Sequence, residues 1–272
     1  MTERSFGSSG LADPPPAGFT EFGVERDGAY SAGSLAGHGG QVVSLTLCRF
    51  AARDVPWAIS QMQWSKPKVR AIPEIGFFKL MGTGGGAGFS TKPNLNVWTI
   101  LSTWPDGAAA ERAQAAPVFI ERRARSTESA TFHLAPISSR GRWANENPFR
   151  GDGAAAEGGP IVALTRATVK KRMLARFWRR VPSISHTIEG EGAVRFMIGM
   201  GEVPYLHQVT FSIWDDAGAM ARFSRESATH GEAVRMVAKE GWFSEQLFAR
   251  FRPIAGSGTW NGHAATALLG LE

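Results

Sequence analysis

A chain of 272 residues, 43% of them apolar, is long enough to bury a sizeable core as one large domain or two small ones. It has no run of 18 apolar residues, and its start has no charged segment followed by an apolar one; neither a spanning helix nor a secretory leader is expected, and a cytoplasmic address follows. One cysteine excludes an intrachain disulfide or a multi-thiolate metal centre, and the basic residues behind the net charge of +6 are scattered without interleaved stacking aromatics, which argues against nucleic-acid binding.

Residues 1–40 are rich in Gly, Ser, Pro and Ala and predict a disordered arm, with order beginning at Gln41. VVSLTL, residues 42–47, is a β-branched apolar run and hence a buried strand, with Cys48 after it as a small buried hydrophobe. Asp54 is placed to cap a helix whose first turn holds Pro56. Strands follow at residues 75–83 and 96–104, then an Ala-rich helix from Pro105 and Asp106, then a strand at 131–137 in which His133 alternates with Phe132 and Leu134 and so faces out. The glycine run at residues 82–88 has no Lys-Ser/Thr pair and opens no helix, so it reads as a loop between strands and not as a phosphate cradle.

After a linker at residues 151–159 the order recurs. A strand at 161–165 leads to a helix from Thr168, with Val169, Met173, Phe177 and Val181 at spacings of four. Strands at 194–200 and 205–214, helices from Asp215 and from His230, and a strand at 247–254 complete the second set, and residues 261–272 form a tail.

The recurrence extends to residues. VVSLT at Val42 matches IVALT at Ile161, GTG at 82–84 matches GMG at 199–201, and STWPD at 102–106 matches SIWDD at 212–216. Pro136-Ile137 followed by Trp143 matches Pro253-Ile254 followed by Trp260 at the same separation. Residues 41–150 and 160–260 therefore read as two ferredoxin-like βαββαβ repeats, each a four-stranded antiparallel sheet with helices on one face. The bare sheet faces bury each other, which predicts an α+β pseudo-dimeric barrel with its helices outside.

The halves differ where chemistry is concerned. Aligning Trp104 with Trp214 sets Ile120 opposite His230 and Val97 opposite His207, so an imidazole-dependent site would exist only in the second half. His230 opens a helix capped by Thr229 and shares a face with Val234, Val237 and Gly241, which suits an axial ligand to haem iron; a core or capping histidine is the plainer alternative. His207 shares a strand face with Tyr205, Val209, Phe211 and Ile213, where it could donate to bound oxygen, while Gln208 faces the other way. Phe196, Phe211, Trp214, Phe223 and Trp242 are candidates to line a pocket between this sheet and its helices, with ordinary packing as the alternative.

The blocks GFFKLMGTGGGAGF, NVWTILSTWPD, ISSRGRW, PIVALTRATV, FWRRVPSIS, IGMGEVPYLHQVTFSIWDD and EGWFSEQLFARFRPI, spread over residues 42–260, resemble the spheroidene monooxygenases of carotenoid biosynthesis in purple bacteria. SIWDDAGAMARFSRESATH is in addition similar to the strand-to-helix passage of dimeric α/β-barrel monooxygenases and haem-degrading enzymes. The resemblance implies a haem b-dependent oxygenase that takes molecular oxygen and electrons from reduced ferredoxin. It would hydroxylate one carbon of an acyclic carotenoid twice, giving a gem-diol that loses water to leave a ketone, as from spheroidene to spheroidenone. No quoted block fixes the ligand, so His230 as metal ligand and His207 as catalytic group are readings of the residues. A lipophilic substrate and a basic surface together imply peripheral contact with the inner membrane. Two competing functions are a cofactor-free or non-haem barrel monooxygenase on a small aromatic substrate, and a haem- or pigment-binding protein without turnover.

Overall fold

The computed structural model describes residues 35–85, 92–153, 158–179, 192–226 and 240–271. Eight strands carry the architecture: β1 (Val42–Phe50), β2 (Phe78–Gly84), β3 (Pro93–Trp104), β4 (Ser126–Gly141), β5 (Ile161–Val169), β6 (Val194–Gly201), β7 (His207–Trp214) and β8 (Phe243–Trp260). They pair antiparallel in the order β4-β1-β3-β2-β6-β7-β5-β8, and β8 pairs back on β4, closing a barrel whose narrowest seam is the two-residue pairing of β2 with β6. A short β9 (His263–Ala264) hairpins onto the end of β8. The α+β barrel of two ferredoxin-like repeats is thus the architecture found. Helices α1 (Val55–Arg70), α2 (Gly107–Ala113) and α3 (Pro117–Arg125) cover the first half from outside, and a helical segment at 174–179 and the helix Ala217–Glu226 follow β5 and β7 in the second.

The pairing register repeats with the sequence. Val42 faces Trp104 in the first half and Ile161 faces Trp214 in the second. Leu134 pairs with Pro253 and Pro136 with Phe251, one pairing seen from either side of the pseudo-two-fold. The matched Asp106 and Asp216 each accept from the backbone N–H three residues on, both at 2.7 Å, and so start equivalent helices.

Strand alternation sends Val43, Leu45, Leu47, Phe132, Leu134, Val162, Leu164, Val209, Phe211, Ile213, Leu247 and Phe251 into the barrel, where all are buried. Phe132 stacks on Phe211 with ring centroids 5.7 Å apart, and Phe196 meets them at 5.5 and 6.2 Å. Each such side chain contributes about 1.5–3 kcal/mol by leaving water, and together they fill the lumen as a core and not a channel.

Both barrel ends are closed by the same device. At one end Trp143 precedes Ala144 and Asn145, both at positive φ, whose N–H groups donate to Glu245; Glu245 pairs with Arg166, and the Arg166 guanidinium lies 5.8 Å from the Trp143 ring. At the other, Trp260 precedes Asn261 and Gly262, also at positive φ, and Gly262 N donates to Glu128 at 3.1 Å. Glu128 pairs with Arg49 at 2.9 Å, and Arg49 stacks over Trp260 at 4.6 Å. The Pro-Ile…Trp match in the sequence is the visible part of this duplicated plug.

Five expectations need correction. β5 runs to Val169, because Thr168 and Val169 pair with His207 and Phe243; the turn over Lys171–Met173 comes before helix, so no helix starts at Thr168. Val181 lies outside the described residues. Residues 35–40, assigned to the arm, are part of the fold: Leu35 is buried against α2, and Gly107 N donates to His38 O at 2.8 Å in a slot where a Cβ on Gly107 would meet Leu35 O at 1.7 Å. The expected tail contains a helix, Ala265–Leu269, whose Ala265 and Leu269 join the barrel core. β8 begins at Phe243 and ends at Trp260, well beyond the strand expected at 247–254. His133 is fully buried, for reasons given below.

Candidate active site

Hydrogen-bonded register puts the two outer sheet faces into correspondence. Phe78 opposite Ser102 and Leu80 opposite Ile100 in the first half become Met197 opposite Ser212 and Gly199 opposite Thr210 in the second. Cys48 opposite Trp98 becomes Ala167 opposite Gln208. The sequence match of Gly82 with Gly199 is therefore displaced by a bulge at Gly82/Thr83 in β2 and another between Val194 and Phe196 in β6.

The consequence is a difference in bulk. The first half fills this face with Leu80, Ile100, Trp98 and Trp104, all buried, under Val69, Ala110, Val118 and Phe119 of its helices. In the second half Thr165 is exposed, and Ala163, Gln208 and Thr210 are half-buried. Thr165, Thr210 and Gly199 lie side by side on β5, β7 and β6, a lane of small side chains crossing three strands and so roughly 10 Å wide. Trp214, Met220 and Phe223, packed with Ile161 and Ile137, wall one end of it. A flat, neutral floor with hydroxyl and carboxamide groups on it accommodates a planar or extended apolar molecule, which the packed lumen cannot.

The residues singled out in the sequence fall into separate places. His207 and Gln208 do face opposite ways; His207 points inward with Val209, Phe211 and Ile213, and Gln208 stands on the outer face. Tyr205 leaves that series, sitting in the β6–β7 turn at φ 65°. Phe196 and Phe211 are inside the barrel, Trp214 and Phe223 are in the outer layer with rings 5.3 Å apart, and Trp242 packs in a third cluster with Val169 and Met173. The five aromatics therefore do not line one cavity, and only Trp214 and Phe223 border the lane. His230 and Thr229 lie outside the described residues, as does His186. Ile120, the match of His230, is half exposed on α3.

His207 belongs instead to a charged cluster at the barrel rim. Its Nδ1 lies 3.2 Å from Glu202 Oε2, to which Trp143 Nε1 donates at 2.9 Å, while Lys79 Nζ is 2.9 Å from Glu202 Oε1. Burial alone would raise the Glu202 carboxyl, but the hydrogen bonds from His207, Lys79 and Trp143 and the Lys79 charge bring it down to about 2. Gly201 lets the chain turn here, since a Cβ would sit 2.2 Å from His207 O. The arrangement holds Trp143 over the barrel end.

In the first half, Trp104 Nε1 donates to Ser44 Oγ at 3.0 Å, and Ser44 Oγ lies 2.8 Å from His133 Nδ1. Burial pushes the His133 imidazole down to about 4. The second half has Ala163 and Arg250 at the corresponding pair. Cys48 is also buried, which pushes its thiol up to about 11, too high for a nucleophile at neutral pH. Among the described residues no group of three or more His, Cys, Asp or Glu side chains could hold a metal ion. The lane carries no histidine, and its signal in the sequence is the loss of bulk at the outward positions of the second repeat.

No family model matches the chain. It is 43% identical over 235 residues to a spheroidene monooxygenase of Rhodobacter capsulatus, covering 85% of this chain and 98% of the relative. A spheroidene monooxygenase of Cereibacter sphaeroides is 43% identical over 225 residues, 82% of this chain and 69% of its own, and that of Rubrivivax gelatinosus 31% identical over 225 residues, 82% and 86%. Among solved structures, an aldoxime dehydratase superposes with a TM-score of 0.54 at 10% identity, covering 89% of this chain and 90% of its own. A second, co-crystallised with butyraldoxime, gives 0.53 at 12% identity, covering 89% and 88%. At such identities the likeness concerns the fold.

Proposed function

Because the chain belongs to the spheroidene monooxygenase family, we propose that it is an oxidoreductase that oxygenates an acyclic carotenoid on the outer face of β5, β6 and β7. The observation that carries this reading is the trimmed lane, where Gly199 and Thr210 replace Leu80 and Ile100 of the sealed half. A polyene is a narrow, extended, apolar rod, which the small residues Ala163 and Thr165 on β5 can contact along its length.

The same floor suits haem b on two counts. It is flat and uncharged, and Trp214 and Phe223 stand at its border for aromatic contact. Gly199 and Thr210 would be among the residues that hold the group, and His230 would supply its metal ligand. When bound, haem activates molecular oxygen with electrons that reduced ferredoxin delivers. The chain's own part is to hold the polyene end still, exclude water with Trp214, Met220 and Phe223, and orient polar groups over the lane. His207 faces the rim, so the hydrogen-bonding role expected of it passes to Gln208.

Each turn inserts one oxygen atom into a C–H bond and reduces the other to water, consuming two electrons and two protons. A second turn at the same carbon gives a gem-diol, which loses water to leave a ketone. The polyene reaches the enzyme from a membrane, with which the chain makes peripheral contact; no helix among the described residues is long and apolar enough to cross one.

Incubation of the purified protein with spheroidene, oxygen and reduced ferredoxin, alongside its absorption spectrum, tests the reading. The expected result is a Soret band that His230→Ala removes and a ketone product. Ketone formed by a colourless protein would point to cofactor-free chemistry, and a Soret band without product would leave a carrier.

A further inference from the structure

We infer that the second half docks on an anionic lipid bilayer through one defined face, made of the basic segment 170–179 and the β6–β7 hairpin at 201–207. The use of that face, delivery of a lipophilic substrate, rests on the function proposed above; the face itself rests on geometry.

The segment carries Lys170, Lys171, Arg172, Arg176 and Arg179, of which Lys171, Arg172, Arg176 and Arg179 are exposed. Among the described residues the carboxylate that pairs with it is Glu240, 2.7 Å from Arg176. The nearby Glu202 and Glu245 are engaged by Lys79 and Arg166 at the barrel rim. Among the described residues the segment therefore keeps a surplus of positive charge.

The hairpin is fastened directly beside it. Val169 N donates to Leu206 O at 2.9 Å, and Trp178 Nε1 donates to Tyr205 O at 3.1 Å, with the two rings 5.7 Å apart edge to face. Phe177 meets Trp178 at 5.4 Å and Phe243 at 6.1 Å, so a continuous aromatic layer underlies the cations. At the tip His207 N donates to Val203 O at 3.0 Å, and this closed turn holds Val203 and Tyr205 outward, 40% and 49% exposed.

Exposed aliphatic and phenolic side chains at a rigid tip, with cations at their flank, match the layering of a bilayer surface. Apolar and amphipathic groups sit among the headgroups, and lysine and arginine meet lipid phosphates. An acidic protein would satisfy the charge but would leave the outward, apolar Val203 without a reason. The face also adjoins the lane: Ala167 and Gln208 stand at the strand ends that run into this hairpin. The corresponding helix α1 exposes Trp64 beside Lys66 and Lys68, yet it covers the sealed sheet and opens onto nothing.

Sedimentation of the full chain with vesicles of phosphatidylcholine, with and without 30% phosphatidylglycerol, tests this. Binding is expected to need the anionic lipid and to be released by raised salt. Lys171→Glu with Arg172→Glu should weaken it at least tenfold, and Val203→Ser with Tyr205→Ser at least threefold. Lys66→Glu with Lys68→Glu changes net charge equally and should leave binding within twofold. Near-UV circular dichroism matching the parent shows that each variant is folded. Equal binding by the Lys171/Arg172 variant and the parent overturns the inference, as does an equal loss in the Lys66/Lys68 variant, or retention by an acidic protein with none on vesicles. Oxidation of a carotenoid supplied in detergent separates the two readings: its failure with vesicle binding intact counts against the proposed function alone, and turnover in detergent by a protein that does not bind vesicles counts against docking alone.

Discussion

Leu80 and Gly199 occupy the same place in the two repeats and both are buried, but one brings a side chain into the layer under the helices and the other brings none. The first half fills its outer sheet face with Ile100 and Trp104 under its helices and with Trp98 beside Cys48, whereas among the described residues the second half keeps Trp214 at the place of Trp104 but sets Thr210 and Gln208 at those of Ile100 and Trp98. Packing and binding compete for one surface, and a duplicated scaffold lets each half take one of them.

The contrast can be broken from the first half. Leu80→Ala leaves a cavity beneath α1 to α3 and should cost about 3–5 kcal/mol in urea unfolding, while product formed per folded molecule stays unchanged. An equal loss of activity per folded molecule would mean that the sealed half takes part in the chemistry. His133 should make the first half acid-sensitive by about 3 kcal/mol. At pH 7 the imidazole is neutral folded and unfolded; below about 6.5 the unfolded chain takes a proton that the native one refuses until about 4, so stability falls across that window. Unfolding at pH 7 and pH 5 should show a shallower drop for His133→Gln, and an unaltered slope would place the sensitivity elsewhere.

From the second half, Gly199→Leu rebuilds the first-half surface and should lower product formation about a hundredfold, or about 2.7 kcal/mol of barrier. Because Gly199 is buried, overpacking should also cost about 1–3 kcal/mol in urea unfolding, so product is scored per folded molecule, and a fully active Gly199→Leu protein would sink the assignment of the lane. The rim gives the smallest effect. Glu202 titrates at about 2 against an ordinary 4.5, so its contribution is complete above 4.5 and is lost as pH falls toward 2. With part of the carboxyl in solvent the amount is on the order of 2 kcal/mol. Glu202→Gln should flatten that acid limb in pH-dependent unfolding without altering the Leu80 effect.

The barrel was legible because register and repeat speak together: STW and SIW mark the same strand end, and the paired Pro-Ile…Trp segments mark both plugs. His133 shows a limit of alternation. Its parity was read correctly, opposite to Phe132 and Leu134, but in a barrel wrapped by helices the outward side is a second interior, so facing out did not mean facing water. Leu35 and the helix Ala265–Leu269 escaped for another reason: their burial is decided by distant partners, a glycine slot at Gly107 and the barrel end, which a local pattern does not contain. Choosing aromatics by type scattered the candidate site over three clusters. The lane lay hidden behind two bulges that shift the glycines of β2 and β6 out of step.

The closure of β8 back on β4 joins the repeats in one polypeptide where two copies of a shorter chain could have made the same ring. In such a symmetric pair every substitution would appear twice, and changing Leu80 to glycine for the sake of a binding floor would strip the packing from both sides. Joined in tandem, each position occurs once in the barrel, and a gain on one flank carries no obligatory loss on the other.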